Sequence, residues 1–95
     1  MTYTVAVTWT ANEGEEDAVA SALERLREPT LAEDGVLTWL PHRDPENPSV
    51  FFIFEQYVDA GAYTAHTETD HFKRDGLGDA IPRLAERKRE FYEAF

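Results

Sequence analysis

Residues 36–57, VLTWLPHRDPENPSVFFIFEQY, contain two apolar stretches separated by a short polar turn. The turn, residues 43–48, holds two prolines, which cannot donate a hydrogen bond to a neighbouring strand. The stretches on either side, residues 36–42 and residues 50–57, therefore predict the two strands of a β-hairpin. Because residues 50–54 are continuously apolar, we predict that the second strand lies inside a sheet and is covered on both faces.

The sequence before the hairpin predicts a strand and then a helix. Residues 3–10 alternate between larger apolar side chains and mostly threonine, as in a strand with one buried face. Residues 12–15 are typical of a helix start, in which Asn12 accepts from the first turn and Glu15 completes a capping box. We predict that Pro29 ends this helix, because proline disfavours helical backbone at the residue before it.

The sequence after the hairpin predicts a second helical region and a last strand. Asp59 can cap the helix and Asp70 can cap its continuation, which Gly76 and Gly78 are expected to interrupt. Residues 87–95 alternate as a strand does, although their good helix formers leave a helical extension open. Of these two alternatives we predict the strand.

The resulting order is β-α-β-β-α-β, an α+β arrangement of the ferredoxin-like type with an antiparallel sheet. Helices would cover one face of this sheet, while the other face also carries large apolar side chains that need cover. In a chain of 95 residues, expected to form one domain over residues 1–95, a second copy of the chain is the natural cover. We therefore expect a homodimer.

Composition excludes several classes of protein. The net charge of −10 repels phosphate backbones and anionic lipids, so neither nucleic acid nor a membrane is an expected partner. The absence of cysteine excludes disulfides and thiolate metal sites. No apolar stretch is long enough to span a bilayer, and the first residues lack the pattern of a signal peptide, which favours a cytoplasmic protein.

Four stretches resemble motifs of the antibiotic biosynthesis monooxygenase (ABM) family. Residues 33–39 resemble its E-x-G-[CV]-L segment, residues 43–48 its hairpin turn, and residues 51–57 its F-x-x-x-E-x-[WY] strand. Residues 62–66, followed by residues 70–72, are similar to its A-[LFY]-x-x-H…[SD]-x-H-F helix. With the first strand, the resemblance covers nearly the whole chain.

The resemblance implies a dimeric α/β barrel, in which two ferredoxin-like sheets pack face to face. Members of the family include monooxygenases that oxidise electron-rich phenols or quinols with O2 and no metal or flavin, so no cofactor is implied. Other members degrade haem. The places where that branch needs an asparagine, a tryptophan and an iron-ligating histidine hold Val7, His66 and Gly76, so haem degradation is disfavoured.

Two histidines are the candidate catalytic residues, and both match family positions. A neutral imidazole at His66, or at His71 second, can accept a phenolic proton because its pKa lies near the working pH. The structural alternative is a histidine that fixes the helix by bonding a backbone carbonyl or Asp70. Five residues separate the pair, about 140° around a helix, so they do not form the spacing of a helical metal pair and no metal site is predicted.

Aromatic residues and one acid are the candidate pocket residues. Five aromatic side chains can line a pocket for a flat substrate, although aromatic residues at strand spacing are more often plain core: Trp9, Trp39, Phe52, Phe54 and Tyr63. Glu55 can orient a histidine or bind substrate, or it can bond across the dimer interface. A basic group is expected to face solvent or to form salt bridges at the dimer interface: Arg83, Arg87, Lys88 and Arg89.

The sequence therefore predicts a cofactor-independent monooxygenase that oxidises a small aromatic phenol, hydroquinone or polyketide-like substrate with O2. Two alternatives stay open. One is a non-catalytic dimeric module that binds a small molecule or a partner, and the other is a related enzyme of non-oxidative chemistry, such as an isomerase or cyclase.

Overall fold

The computed structural model describes residues 1–95 and contains four strands, two α-helices and a wider helical segment. The strands are β1 (Thr2–Ala11), β2 (Val36–Arg43), β3 (Val50–Tyr57) and β4 (Leu84–Ala94). The α-helices are α1 (Glu16–Leu31) and α2 (Ala60–Thr67). A π-helical segment (Phe72–Ala80) and a short 3₁₀ turn (Ile81–Arg83) lead into the last strand.

The four strands form one antiparallel sheet in the order β2-β3-β1-β4. The predicted α+β, ferredoxin-like fold is confirmed, and the C-terminal stretch is a strand rather than a helix. β1 lies at the centre, where Val7 faces Ile53 of β3 on one side and Arg89 of β4 on the other. Side chains at these three positions therefore point to the same face of the sheet.

The core lies between that face and the helices. Alternate residues of β1 and β3 are buried there, as the period of two predicts, and α1 adds residues at helical spacing. The main contributors are Val5, Val7, Trp9, Phe51, Ile53, Val19, Ala22, Leu23 and Leu26. Full burial of one such aliphatic side chain contributes about 1.5–3 kcal/mol.

Helix α1 departs from its predicted ends. The Asn12 carbonyl accepts from the Glu15 N–H at 3.0 Å, but no side chain caps the helix, so the predicted capping box is wrong. The Glu15 carboxylate binds the Arg83 guanidinium at 2.5 Å instead, a partner far along the chain. Pro29 lies inside the helix, and the predicted end there is also wrong. The next residue, Thr30, is fully buried, so packing holds the last turn despite the missing N–H.

The second helical region has one predicted cap and one unpredicted cap. Asp59 accepts from the Ala62 N–H at 2.9 Å, as predicted. The continuation is capped by Thr69, whose hydroxyl accepts from the Phe72 N–H at 3.2 Å, so the prediction of Asp70 is wrong. Gly76 does not break the helix, because the backbone widens into the π-helical segment.

Gly35 sets the distance between α2 and the start of β2. A Cβ at this position would lie 2.3 Å from the Cβ of Ala62, so any larger residue would push the helix away. The Gly35 carbonyl also accepts from the Val58 N–H at 2.9 Å. The close approach brings the residues just before β2 against the residues of α2.

The opposite face of the sheet has no helix over it. Strand register places Leu40, Phe52, Phe54 and Tyr92 on this face. Phe52 is 38% exposed, Leu40 and Tyr92 more so, and Phe54 is half-buried. We call these four residues the open-face cluster. None of the helices combines the length and apolar character that crossing a membrane needs.

Candidate active site

A small cavity lies between the helical layer and the three strands β1, β3 and β4. Its lining comes from both layers and mixes apolar and ionisable side chains: Val7, Trp9, Glu55, Tyr63, His66, Thr67, Phe72, Arg87 and Arg89. Its volume is about 20 Å³, which holds a single water molecule rather than an aromatic ring. Four of the eight predicted site residues line it: Trp9, Glu55, Tyr63 and His66.

His66 and His71 are joined through Glu33. One carboxylate oxygen of Glu33 lies 2.9 Å from Nδ1 of His66 and 2.7 Å from Nε2 of His71. The predicted structural partners of His66, a backbone carbonyl or Asp70, are therefore wrong. Glu33 belongs to the E-x-G stretch of the sequence, but its partners were missed because they lie more than thirty residues further along the chain.

The Glu33 contact determines the state of His66. A carboxylate only accepts, so Nδ1 carries the proton and Nε2 keeps the lone pair in the neutral ring. His66 is 2% exposed, and burial lowers its pKa; His71 lowers it further, while Glu33 opposes the change. His66 is therefore neutral at pH 7, and Nε2 has no hydrogen-bond partner in the protein. It is a candidate proton acceptor.

The same three residues offer the ligand atoms of a metal site. The relevant atoms of Glu33, His66 and His71 all lie within 4.8 Å of one another, and two imidazoles with one carboxylate suit several divalent metals. The sequence prediction that the two histidines do not form a helical pair considered only their own helix. In the structure the three groups also satisfy one another by hydrogen bonds.

Glu55 is a second group able to exchange protons. It is 6% exposed and accepts from the Tyr57 hydroxyl at 2.5 Å. Burial raises its pKa from 4.5 to about 7, and it also raises the pKa of Tyr57, which stays protonated. Glu55 lies on the helix-covered face and bonds within its own chain, whereas the sequence alternative placed its bond across a dimer interface.

Two arginines of β4 complete the polar lining. Arg87 lies opposite Trp9, Arg89 lies opposite Val7, and Arg89 donates to the Tyr63 hydroxyl at 3.0 Å. Both arginines are exposed, as the sequence predicted, but the prediction missed their role in the cavity. Alternation along β4 carried the signal, because residues 87 and 89 share a face with Phe91, which packs on Tyr63.

The predicted aromatic pocket is divided between the two faces of the sheet. Trp9 lines the cavity, and Trp39 lies buried with its ring 6.4 Å from that of His66. The indole N–H groups of both tryptophans have no hydrogen-bond partner. Phe52 and Phe54 belong to the open-face cluster, so their prediction as pocket residues is wrong: alternate residues of β3 face opposite sides.

A wider depression of about 400 Å³ lies beside Arg83, but none of its lining residues is buried. Arg83 is bound there by Glu15 and Asp79, and no hydrophobic residue lines the depression. The one cation of the depression is therefore already paired, and its surroundings are open to solvent. The small cavity around His66 is therefore the candidate active site.

Comparisons with known proteins show what the sequence and the fold are similar to. The family model described as antibiotic biosynthesis monooxygenase matches residues 2–74. The Pseudomonas aeruginosa protein PA3566 is 30% identical, with a TM-score of 0.91 over 99% of this chain and 94% of that one. A Bacteroides thetaiotaomicron protein of unknown function is 28% identical, with a TM-score of 0.86 over 98% of this chain and 97% of that one.

A Nitrosomonas europaea protein described as a candidate antibiotic biosynthesis monooxygenase is also similar. It is 24% identical, with a TM-score of 0.87 over 98% of this chain and 89% of that one. No curated protein matches the sequence.

Proposed function

Because the chain belongs to the antibiotic biosynthesis monooxygenase family, we propose that it oxidises a small phenol, hydroquinone or polyketide-like substrate with O2 and without a bound cofactor. One observation carries the proposal. His66 is a buried, neutral imidazole that is held at Nδ1 by Glu33 and lines the cavity with Nε2 unpartnered. A fixed base of this kind suits removal of a phenolic proton.

The reaction balances without an external reductant. His66 takes the phenolic proton, and the phenolate passes one electron to O2, which gives a phenoxyl radical and superoxide. Their recombination forms a carbon–oxygen bond at a ring C–H position, and the protonated peroxide loses water to leave a carbonyl. One oxygen atom stays in the quinone, and the other leaves as water.

The protein's groups have separate roles in this sequence of steps. The Glu33 carboxylate stabilises the imidazolium that forms at His66. Glu55, with a pKa of about 7, is available to protonate the peroxide. Trp9 and Phe72 exclude water from one side of the cavity.

An aromatic ring enters only when the cavity widens. Its volume of about 20 Å³ is too small for a ring, and the contact between Arg89 and the Tyr63 hydroxyl spans from β4 to α2 at its exposed end. We infer that substrate binding breaks this contact and turns Tyr63 outwards. The inference makes Tyr63 part of the entrance rather than of the reacting centre.

Oxygen uptake by the purified protein tests the proposal. The substrates are a panel of hydroquinones and anthrone-type phenols, measured with a metal chelator present. We expect uptake that survives chelation and that falls roughly 100-fold or more in His66→Ala. His42→Ala is the control, because His42 is exposed and contacts the Phe52 carbonyl outside the cavity. Circular dichroism and sedimentation verify that both variants fold and assemble.

Three results contradict the proposal in different ways. Activity lost on chelation and restored by a divalent metal would assign Glu33, His66 and His71 as a metal site. Uptake unchanged in His66→Ala would remove the proposed base. No uptake with any substrate would favour a binding module without chemistry, the second candidate, which the small volume of the cavity also supports.

We also propose that the chain forms a homodimer through the open-face cluster. Dimers are the usual state in this family, and the cluster leaves large apolar side chains exposed on a sheet face that has no helix over it. The substrate class, the cytoplasmic location and the single domain over residues 1–95 stay predictions from the sequence.

A further inference from the structure

Arg87 and Arg89 have no carboxylate partner, although the chain holds 19 acidic residues against 9 basic ones. Four other arginines each bind a carboxylate of this chain within 4.0 Å: Arg25, Arg43, Arg74 and Arg83. The unpaired state of the two cavity arginines is therefore unexpected for a protein of net charge −10. A third unpaired arginine, Arg27, is exposed on α1, away from the cavity.

The cavity holds hydrogen-bond donors in excess of acceptors. The indole N–H of Trp9 is buried without a partner, and Arg87 lies opposite it in the strand register. Glu55 is the acid of the cavity lining, and one of its oxygens is already occupied by the Tyr57 hydroxyl. Burial lowers the pKa of Arg87, because its guanidinium is partly withdrawn from water. The neighbouring Arg89 lowers it further, while Tyr63 and Glu55 oppose the change.

We propose that Arg87 and Arg89 bind a carboxylate carried by the aromatic substrate, so that the substrate class is a phenolic acid. The proposal rests on the proposed function and deepens it. Guanidinium groups pair with carboxylates by parallel hydrogen bonds, which fix orientation as well as position. Because both arginines are more exposed than His66, the carboxylate lies at the mouth and the phenolic hydroxyl points towards His66.

The same binding event explains how the cavity widens. Arg89 is held by the Tyr63 hydroxyl at 3.0 Å in the closed structure. A carboxylate is a stronger acceptor for a guanidinium than a neutral hydroxyl is. Binding of the acid therefore frees Tyr63, and the substrate's charge opens the entrance that its ring requires.

Calorimetric titration without oxygen tests the proposal independently of turnover. The probes are 2,5-dihydroxybenzoate and its methyl ester, which differ in the charge of one group. We expect the wild type to bind the acid roughly ten-fold or more tightly than the ester. Arg87→Gln and Arg89→Gln should each reduce this preference several-fold, because each should weaken binding of the acid and leave binding of the ester unchanged. Arg27→Gln should leave the preference unchanged. Added salt should weaken binding of the acid more than binding of the ester.

Several outcomes would overturn the proposal. Equal binding of acid and ester would do so, as would binding of neither at millimolar concentration or a preference that persists in both arginine variants. Dissociation of the dimer in Arg87→Gln, seen by sedimentation, would show that the arginine pairs with the partner chain instead. Failure of oxygen uptake with a charge preference intact would refute only the oxygenase proposal.

Discussion

Each face of the sheet carries side chains that do not suit its surroundings: ionisable groups on the buried face and apolar groups on the exposed face. The face covered by helices buries ionisable groups, among them Glu55 and His66, where burial of charge is costly. The uncovered face exposes the open-face cluster, where apolar side chains meet water. Neither the buried ionisable groups nor the exposed apolar side chains stabilise the isolated chain. The difference fits the two proposals, that the covered face carries chemistry and that the uncovered face binds a second copy of the chain.

The largest expected effect concerns the uncovered face. We predict that Phe52→Asp raises the dimer dissociation constant by roughly 100-fold or more, because it places a carboxylate at the centre of the proposed apolar interface. Sedimentation equilibrium measures this constant. The control is Leu77→Asp, which changes an apolar residue that is exposed to a similar extent, 48% against 38%, but lies in the π-helical segment. Equal effects of the two changes would break the distinction between the faces.

The next effect concerns the acid on the covered face. The pKa of Glu55 is about 7 when folded and near 4.5 when unfolded, so the folded state binds more protons and loses stability as the pH rises between these values. The loss amounts to about 3 kcal/mol. Glu55→Gln cannot ionise, so we predict that its free energy of unfolding, relative to wild type, increases by that order between pH 4.5 and pH 8.

Urea unfolding at several pH values makes this comparison, and Glu86→Gln on the same sheet is the control because Glu86 is exposed. A difference between Glu55→Gln and wild type that does not change with pH would show that Glu55 is ionised in the folded protein. Glu55 would then not be available on the covered face as a proton donor near pH 7.

The smallest effect concerns the helical layer that closes the covered face. Thr69→Ala removes the hydroxyl that accepts from the Phe72 N–H, and we predict a loss of about 1 kcal/mol in the free energy of unfolding. Asp70→Ala is the matched control, because its side chain makes no capping bond and should cost less than 0.5 kcal/mol, about the usual limit for an exposed site. Chemical denaturation measures both. A larger loss of stability in Asp70→Ala than in Thr69→Ala would show that Asp70 caps the helix.

Local patterns in the sequence predicted the sheet well and the site only in part. Alternation in residues 3–10 and the continuous apolar run in residues 50–54 identified two of the strands, because each of these patterns depends only on neighbouring residues. The pairing of Glu33 with His66 and of Glu15 with Arg83 was missed, because these contacts join residues that only the folded chain brings together. No local pattern specifies such a partner.

Two further misses had a signal that was overlooked. Phe52 was assigned to the pocket because its side chain is aromatic. It lies three residues from Glu55 on β3, so alternation places the two side chains on opposite faces of the sheet. Arg87 is exposed as predicted, but its role in the cavity was missed, although it shares a face with the buried side of the sheet. In both cases the type of residue outweighed its position in the strand, and position was the better guide.

The central place of β1 has a consequence for folding kinetics. The register joins Thr2 to Ala94, so β1 pairs with β4, the last of the four strands to be synthesised. One edge of β1 therefore stays unpaired until β4 has left the ribosome. Pairings between such distant residues close large loops and slow the folding of a domain. Until β4 arrives, β1 presents an unpaired edge beside exposed apolar side chains. Nascent chains halted before residue 84 should therefore depend most on chaperones.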